Sequence, residues 1–91
     1  MKCYVYVDLD GKLGLRTYKY IMEDNPGFFS QNQGYILKHW KIDTDDNSSL
    51  WRFLKYCQDY GIQISVLNNF ITQLGLTQEK LREVARNNVA K

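Results

Sequence analysis

The stretch Cys3-Tyr4-Val5-Tyr6-Val7-Asp8-Leu9-Asp10-Gly11 decides how the rest of the chain is read. Cys3, Val5, Val7 and Leu9 alternate with Tyr4, Tyr6, Asp8 and Asp10, the period-two pattern of a strand whose odd positions face a core. Asp8 then falls on the solvent face. Asp10-Gly11 accepts positive φ in a tight hairpin turn, so Leu13 to Ile21 is expected to return as a second, antiparallel strand.

Outward from this hairpin, Asn25-Pro26-Gly27 is a turn signal inside the segment from Met22 to Gly34, which reads as one long loop carrying Phe28 and Phe29. Tyr35 to Ile42 is β-favouring, with Ile36, Trp40 and Ile42 on one face and Leu37 and His39 on the other, and makes a third antiparallel strand. Asp45, Asp46, Asn47 and Ser48 are helix-capping residues, followed by Leu50, Phe53, Leu54 and Cys57 at helical spacing as far as Tyr60. Gly61 suits the left-handed residue that ends this helix. A second helix after Ser65 places Leu67, Phe70, Ile71 and Leu74 on one face and stops at Gly75. A third begins at Thr77, with Leu81, Val84 and Ala85 as its apolar stripe and a frayed end at Asn87, Asn88 and Lys91. The expected fold is α+β, βββααα: a small three-stranded antiparallel sheet packed against three C-terminal helices.

Ninety-one residues suffice for one domain, 1–91, with a modest core. The composition, 44% hydrophobic and 24% charged, is that of a folded protein. The N-terminus enters the strand pattern without an apolar leader and cleavage site, which points to a cytoplasmic protein. The uncharged run from Tyr60 to Gln78 is interrupted by Gln63, Asn68, Asn69 and Gln73, so no membrane partner is expected. Cys3 and Cys57 are the only thiols and have no metal-ligand spacing, so both are read as buried and reduced. Residues 1–46 hold six Lys/Arg against seven Asp/Glu, giving −1, and residues 47–91 hold six against three, giving +3. The bias is milder than the basic stripe of a dedicated nucleic-acid binder.

Val5-Tyr6-Val7-Asp8-Leu9-Asp10-Gly11 resembles the nucleophile motif of the haloacid dehalogenase superfamily of phosphatases, an apolar strand ending in Asp-x-Asp-Gly. That resemblance would make Asp8 the nucleophile and Asp10 the general acid or base, with magnesium on the phosphate. Lys12 stands where that family usually has threonine, and the immediate antiparallel return leaves no crossover helix for a parallel sheet. The hairpin accounts for both acids. The run from Asp43 to Ser48 begins like a calcium loop, but Ser48 and Leu54 stand where glycine and glutamate are needed, and helix capping explains it. His39 is the only histidine, so one chain holds no histidine-based metal site or hydrolytic triad. No catalytic residue, metal or cofactor is assigned.

Phe70 to Val84, with Phe70, Leu74, Leu76, Leu81 and Val84 around Gly75, resembles a helix-turn-helix unit of bacterial and phage regulators. The resemblance implies double-stranded DNA as partner of residues 66–89, with Thr77, Gln78, Lys80, Arg82 and Arg86 meeting bases and phosphates. Ile71 departs from the small residue usual there, and Glu79 and Glu83 oppose a phosphate backbone. In the first half, Tyr4, Tyr6, Tyr18 and Tyr20 share one expected sheet face, and the Phe28-Phe29 loop exceeds an ordinary connection. One phenylalanine is expected to plug inward and the other to serve as an anchor. In size and character the chain is similar to small phage or mobile-element inhibitors such as anti-CRISPR proteins. The leading expectation is a stoichiometric, non-catalytic inhibitor or regulator. It would bind a larger protein or ribonucleoprotein complex that handles nucleic acid, as a monomer or homodimer. Its contact residues would be Tyr4, Tyr6, Tyr18, Tyr20, Phe28 and Phe29. A DNA-binding transcriptional regulator is the alternative.

Overall fold

A computed structural model describes residues 2–89. β1 (Lys2–Asp8) and β2 (Leu13–Thr17) form the hairpin, and β3 (Ile36–Asp43) pairs with the other side of β1, giving the order β2-β1-β3. Both pairings are antiparallel, as expected. β1 is therefore central, and the chain must cross the sheet between β2 and β3.

Cys3, Val5 and Val7 are buried as their alternation predicts, but Leu9, expected on the same face, lies in the turn beyond the end of β1 and is 57% exposed. Above them lie α2 (Asn47–Tyr60), α3 (Ile64–Gln73) and α4 (Gln78–Val89). Leu50, Phe53 and Cys57 recur at helical spacing on α2, and with Phe70, Leu74, Val84 and Ile42 they join the strand residues in one core cluster. The free energy of folding comes mainly from this burial. Helix ends follow local chemistry. Asp46 caps α2 by accepting the Ser48 N–H at 3.0 Å, and Gly61 closes it at φ 82°, where Ile62 N–H reaches back to the Cys57 carbonyl. Thr77 Oγ1 accepts the Lys80 N–H at the start of α4. Asn87 and Asn88 remain helical rather than frayed, because Asn88 Nδ2 donates to the Val84 carbonyl and reaches the Asn47 carbonyl on α2; Lys91 lies outside the described residues.

Four further sequence expectations are corrected. β2 ends at Thr17 rather than Ile21, because the chain turns there, with Thr17 Oγ1 accepting the Tyr20 N–H. The stretch from Met22 to Gly34 is not one irregular loop. It begins within a π-helical turn, Tyr20–Asp24, and contains the single helical turn α1 (Phe28–Gln31). Neither has enough residues to show a period. Ile36 does not share a face with Trp40 and Ile42, since the register steps from Val7↔Lys38 to Asp8↔Ile36 and the extra residue turns Ile36 to the opposite side. Asp8 is not on the solvent face: it is 6% exposed, and its Oδ1 accepts the N–H groups of Asp10 and Lys12 at 2.9 and 3.0 Å. The hairpin loop is thus tied to a buried carboxylate, and Gly11, at φ 76°, supplies its left-handed residue.

Candidate functional site

The even positions of β1 build the other side of the sheet. Tyr4 and Tyr6 project from it, and the crossover from β2 to β3 lies over them, bringing all six nominated aromatic residues together. Phe28 is the inward plug, 8% exposed, and packs on Tyr6 and Tyr20 at centroid distances of 5.8 and 5.7 Å. The Arg16 guanidinium lies 5.0 Å from the Tyr20 ring centroid and 4.9 Å from that of Phe28. Tyr6 is held from below by Gly14, its partner on β2, where a Cβ would land inside the Tyr6 ring. Phe28 is therefore internal packing, and Tyr6 and Tyr20 are half-buried against it.

The outer part of the same cluster reaches solvent. Tyr4 stacks on Tyr18 at 6.1 Å and touches Phe29 at 5.8 Å, and Phe29 lies parallel to His39 at 3.8 Å. A row Tyr18–Tyr4–Phe29–His39 thus crosses from the end of β2 over β1 to β3. Met22 sits at one border, receiving the Tyr4 hydroxyl at 3.7 Å, and is 51% exposed. At the other border Phe29, Ser30, Gln33, Ile36, Leu37 and His39 line a shallow cleft of about 380 Å³. Leu37, the bulge residue, is 42% exposed there. Burial against this cluster lowers the His39 pKa from the ordinary imidazole value, favouring the neutral ring.

Residues that sequence reasoning missed lie where the bulge and the crossover act. Met22 and Leu37 became candidates only once the chain path was known. A second row on the helix side, Trp40–Tyr56–Tyr60, has centroid spacings of 4.8 and 5.4 Å, with the Lys38 ammonium 5.4 Å from Trp40 and 4.9 Å from Tyr56. Tyr56 and Tyr60 are four apart on α2, a visible signal, but their alignment with β3 was not.

The acids of the hairpin are engaged structurally. Asp8 caps the loop, and Asp10 Oδ2 accepts the Tyr35 hydroxyl at 3.0 Å, which pushes the Tyr35 pKa up to about 12. The parallel sheet of the dehalogenase resemblance is replaced by direct antiparallel pairing of β1 with β2. Among the described residues, no group of three or more His, Cys, Asp or Glu side chains could hold a metal ion. Cys3 and Cys57 are buried and unbonded; burial raises both thiols, that of Cys57 to about 11. No helix among the described residues is long and apolar enough to cross a membrane.

Of the residues that the helix-turn-helix resemblance nominated, Thr77 caps α4 with its hydroxyl and Lys80 pairs with Glu83 at 3.1 Å. Gln78, Arg82 and Arg86 are exposed, yet Glu79 and Glu83 line the same surface groove as Lys80 and Arg86. The acids thus stand among the bases that would meet phosphate. Ile71 is buried, as a core residue of α3. No family profile, curated protein or solved structure matches the chain.

Proposed function

We propose that the protein is a non-catalytic binding module that acts stoichiometrically by occupying a surface on a larger protein or ribonucleoprotein. The carrying observation is the row Tyr18–Tyr4–Phe29–His39, bordered by the exposed apolar side chains of Met22 and Leu37. Rigid aromatic rings beside exposed aliphatic groups lose little entropy on association and offer large contact area. The row is pre-organised because Phe28 and Tyr6 anchor it from beneath. Within the nominated set, Tyr4, Tyr18 and Phe29 are the contact residues, and Tyr6, Tyr20 and Phe28 hold them in place.

The double variant Tyr18→Ala with Leu37→Asp removes contact area without touching the buried core. Co-precipitation from the source cells should recover a partner with the unmodified protein and lose it with this variant, while circular dichroism stays unchanged. Retention of the partner by a folded double variant would reject the reading. The mixed charge of α4 gives DNA binding less support, and a salt-sensitive duplex shift abolished by Arg82→Glu with Arg86→Glu would restore it.

A further inference from the structure

β3 is an edge of the sheet, eight residues long, with no strand beside it among the described residues. Its ends are tied off: Ile36 N–H donates to the Asn32 carbonyl at 2.9 Å, and Asp43 N–H donates to Ser49 Oγ at 3.1 Å. Between them Leu37, Lys38, His39 and Lys41 are exposed. An edge of this length is a template for another strand.

The side chains along it carry information about what that strand must be. Lys38 and Lys41 point to opposite faces. Lys38 lies on the helix side over Trp40 and Tyr56, and Lys41 on the crossover side, 4.8 Å from the Tyr18 ring centroid. Each ammonium is held by aromatic faces at a fixed place on its side of the sheet. A second copy pairing through β3 supplies no acid to either lysine, because residues 37–42 carry no Asp or Glu. An incoming strand with acids opposite Lys38 and Lys41 is favoured instead.

We infer that β3 receives an extended acidic segment of a partner protein by antiparallel strand addition, with an acid opposite Lys41, an apolar residue opposite Trp40 and a second acid opposite Lys38. Antiparallel order is chosen because it is the more stable per residue. Successive residues alternate faces, so in the partner's direction the pattern is acid, apolar, any, acid. The first acid meets Lys41 beside Tyr18, the apolar residue rests on the Trp40–Tyr56 row, and the last acid meets Lys38. The inference rests on the protein-binding reading, because the added strand lies along the border of the same aromatic surface.

The test uses the full chain and a labelled peptide of alternating valine and threonine carrying two glutamates three positions apart in that pattern. Fluorescence anisotropy should show saturable binding. Affinity should fall at least about fivefold with Lys38→Glu plus Lys41→Glu, and equally when the two glutamates are moved to adjacent positions. Amide protection from hydrogen exchange should rise at His39 and Lys41. Absence of binding by every peptide, or binding indifferent to charge reversal and spacing, overturns the proposal. So does tighter binding of a single-stranded oligonucleotide at the same residues, or a dimer through β3 in sedimentation equilibrium. A photoreactive residue in place of Leu37 separates the two readings. A protein adduct in cells with no peptide binding removes only the acidic-strand proposal, and absence of an adduct removes both.

Discussion

Phe29 lies flat on His39, with ring centroids 3.8 Å apart and planes 6° from parallel, and this pair joins the crossover segment to the sheet edge. Partial burial lowers the imidazole pKa, since desolvation disfavours the charged form, and Phe29 is the ring laid on that face. Phe29→Ala should raise the His39 pKa toward about 6.5, the unperturbed value, in a proton NMR titration. The sign for stability follows. A base titrating lower when folded takes its proton preferentially in the unfolded chain, so His39 contributes a loss of stability as pH falls below about 6.5. An unchanged titration in Phe29→Ala would show that the stack is not the cause.

Gly14 faces Tyr6 across the hairpin, and its lack of a side chain is what lets that ring lie over β2. Gly14→Ala should cost about 1–3 kcal/mol, the usual penalty of overpacking, read as a lower urea midpoint. The ring cannot simply swing away, because Phe28 and Phe29 lie against it. The double variant Gly14→Ala with Tyr6→Ala should lose less than the sum of the two single changes.

Cys57 is fully buried and its pKa is pushed up to about 11, and burial raises Cys3 in the same direction. A thiol titrates near about 8.5 when unfolded. The contribution of Cys57 to stability is therefore whole below that pH and is lost as pH rises toward about 11. Urea midpoints measured from pH 8 to 11 should fall less steeply for Cys57→Ala than for the unmodified chain. In the native protein both thiols should react slowly with a thiol reagent at pH 8.

Asp8 holds the hairpin loop by accepting two amide N–H groups while buried. Asp8→Ala leaves those donors without their acceptor and should cost about 1–3 kcal/mol, read as a lower melting temperature. Asp10→Ala, at an exposed position, should cost far less and lower the Tyr35 pKa from about 12 toward the ordinary phenol value.

The elements with several repeats of one period were legible in the sequence. Cys3, Val5 and Val7 announced β1, and Leu50, Phe53 and Cys57 announced α2, because each pattern runs long enough to separate two-residue from helical spacing. The crossover was not legible. A five-residue π-helical turn and a four-residue helix show no period, and their position depends on Phe28 finding Tyr6 across the sheet. The face of Ile36 was missed because one bulge residue reverses every assignment beyond it. Asp8 was misplaced because alternation places side chains without regard to amides in the following loop. The candidate site was legible as a set of aromatics on one side. The division of that set into support and contact surface required the path of the chain, which buries Phe28 and leaves Met22 and Leu37 outside.

The most direct test of the binding surface is site-specific photo-crosslinking in the source cells, with the photoreactive residue at position 37 in one variant and at position 82 in another. A single discrete protein adduct from position 37, lost on adding Tyr18→Ala, with no adduct from position 82, is the predicted result. Crosslinking to nucleic acid from position 82 with none from position 37 would contradict it.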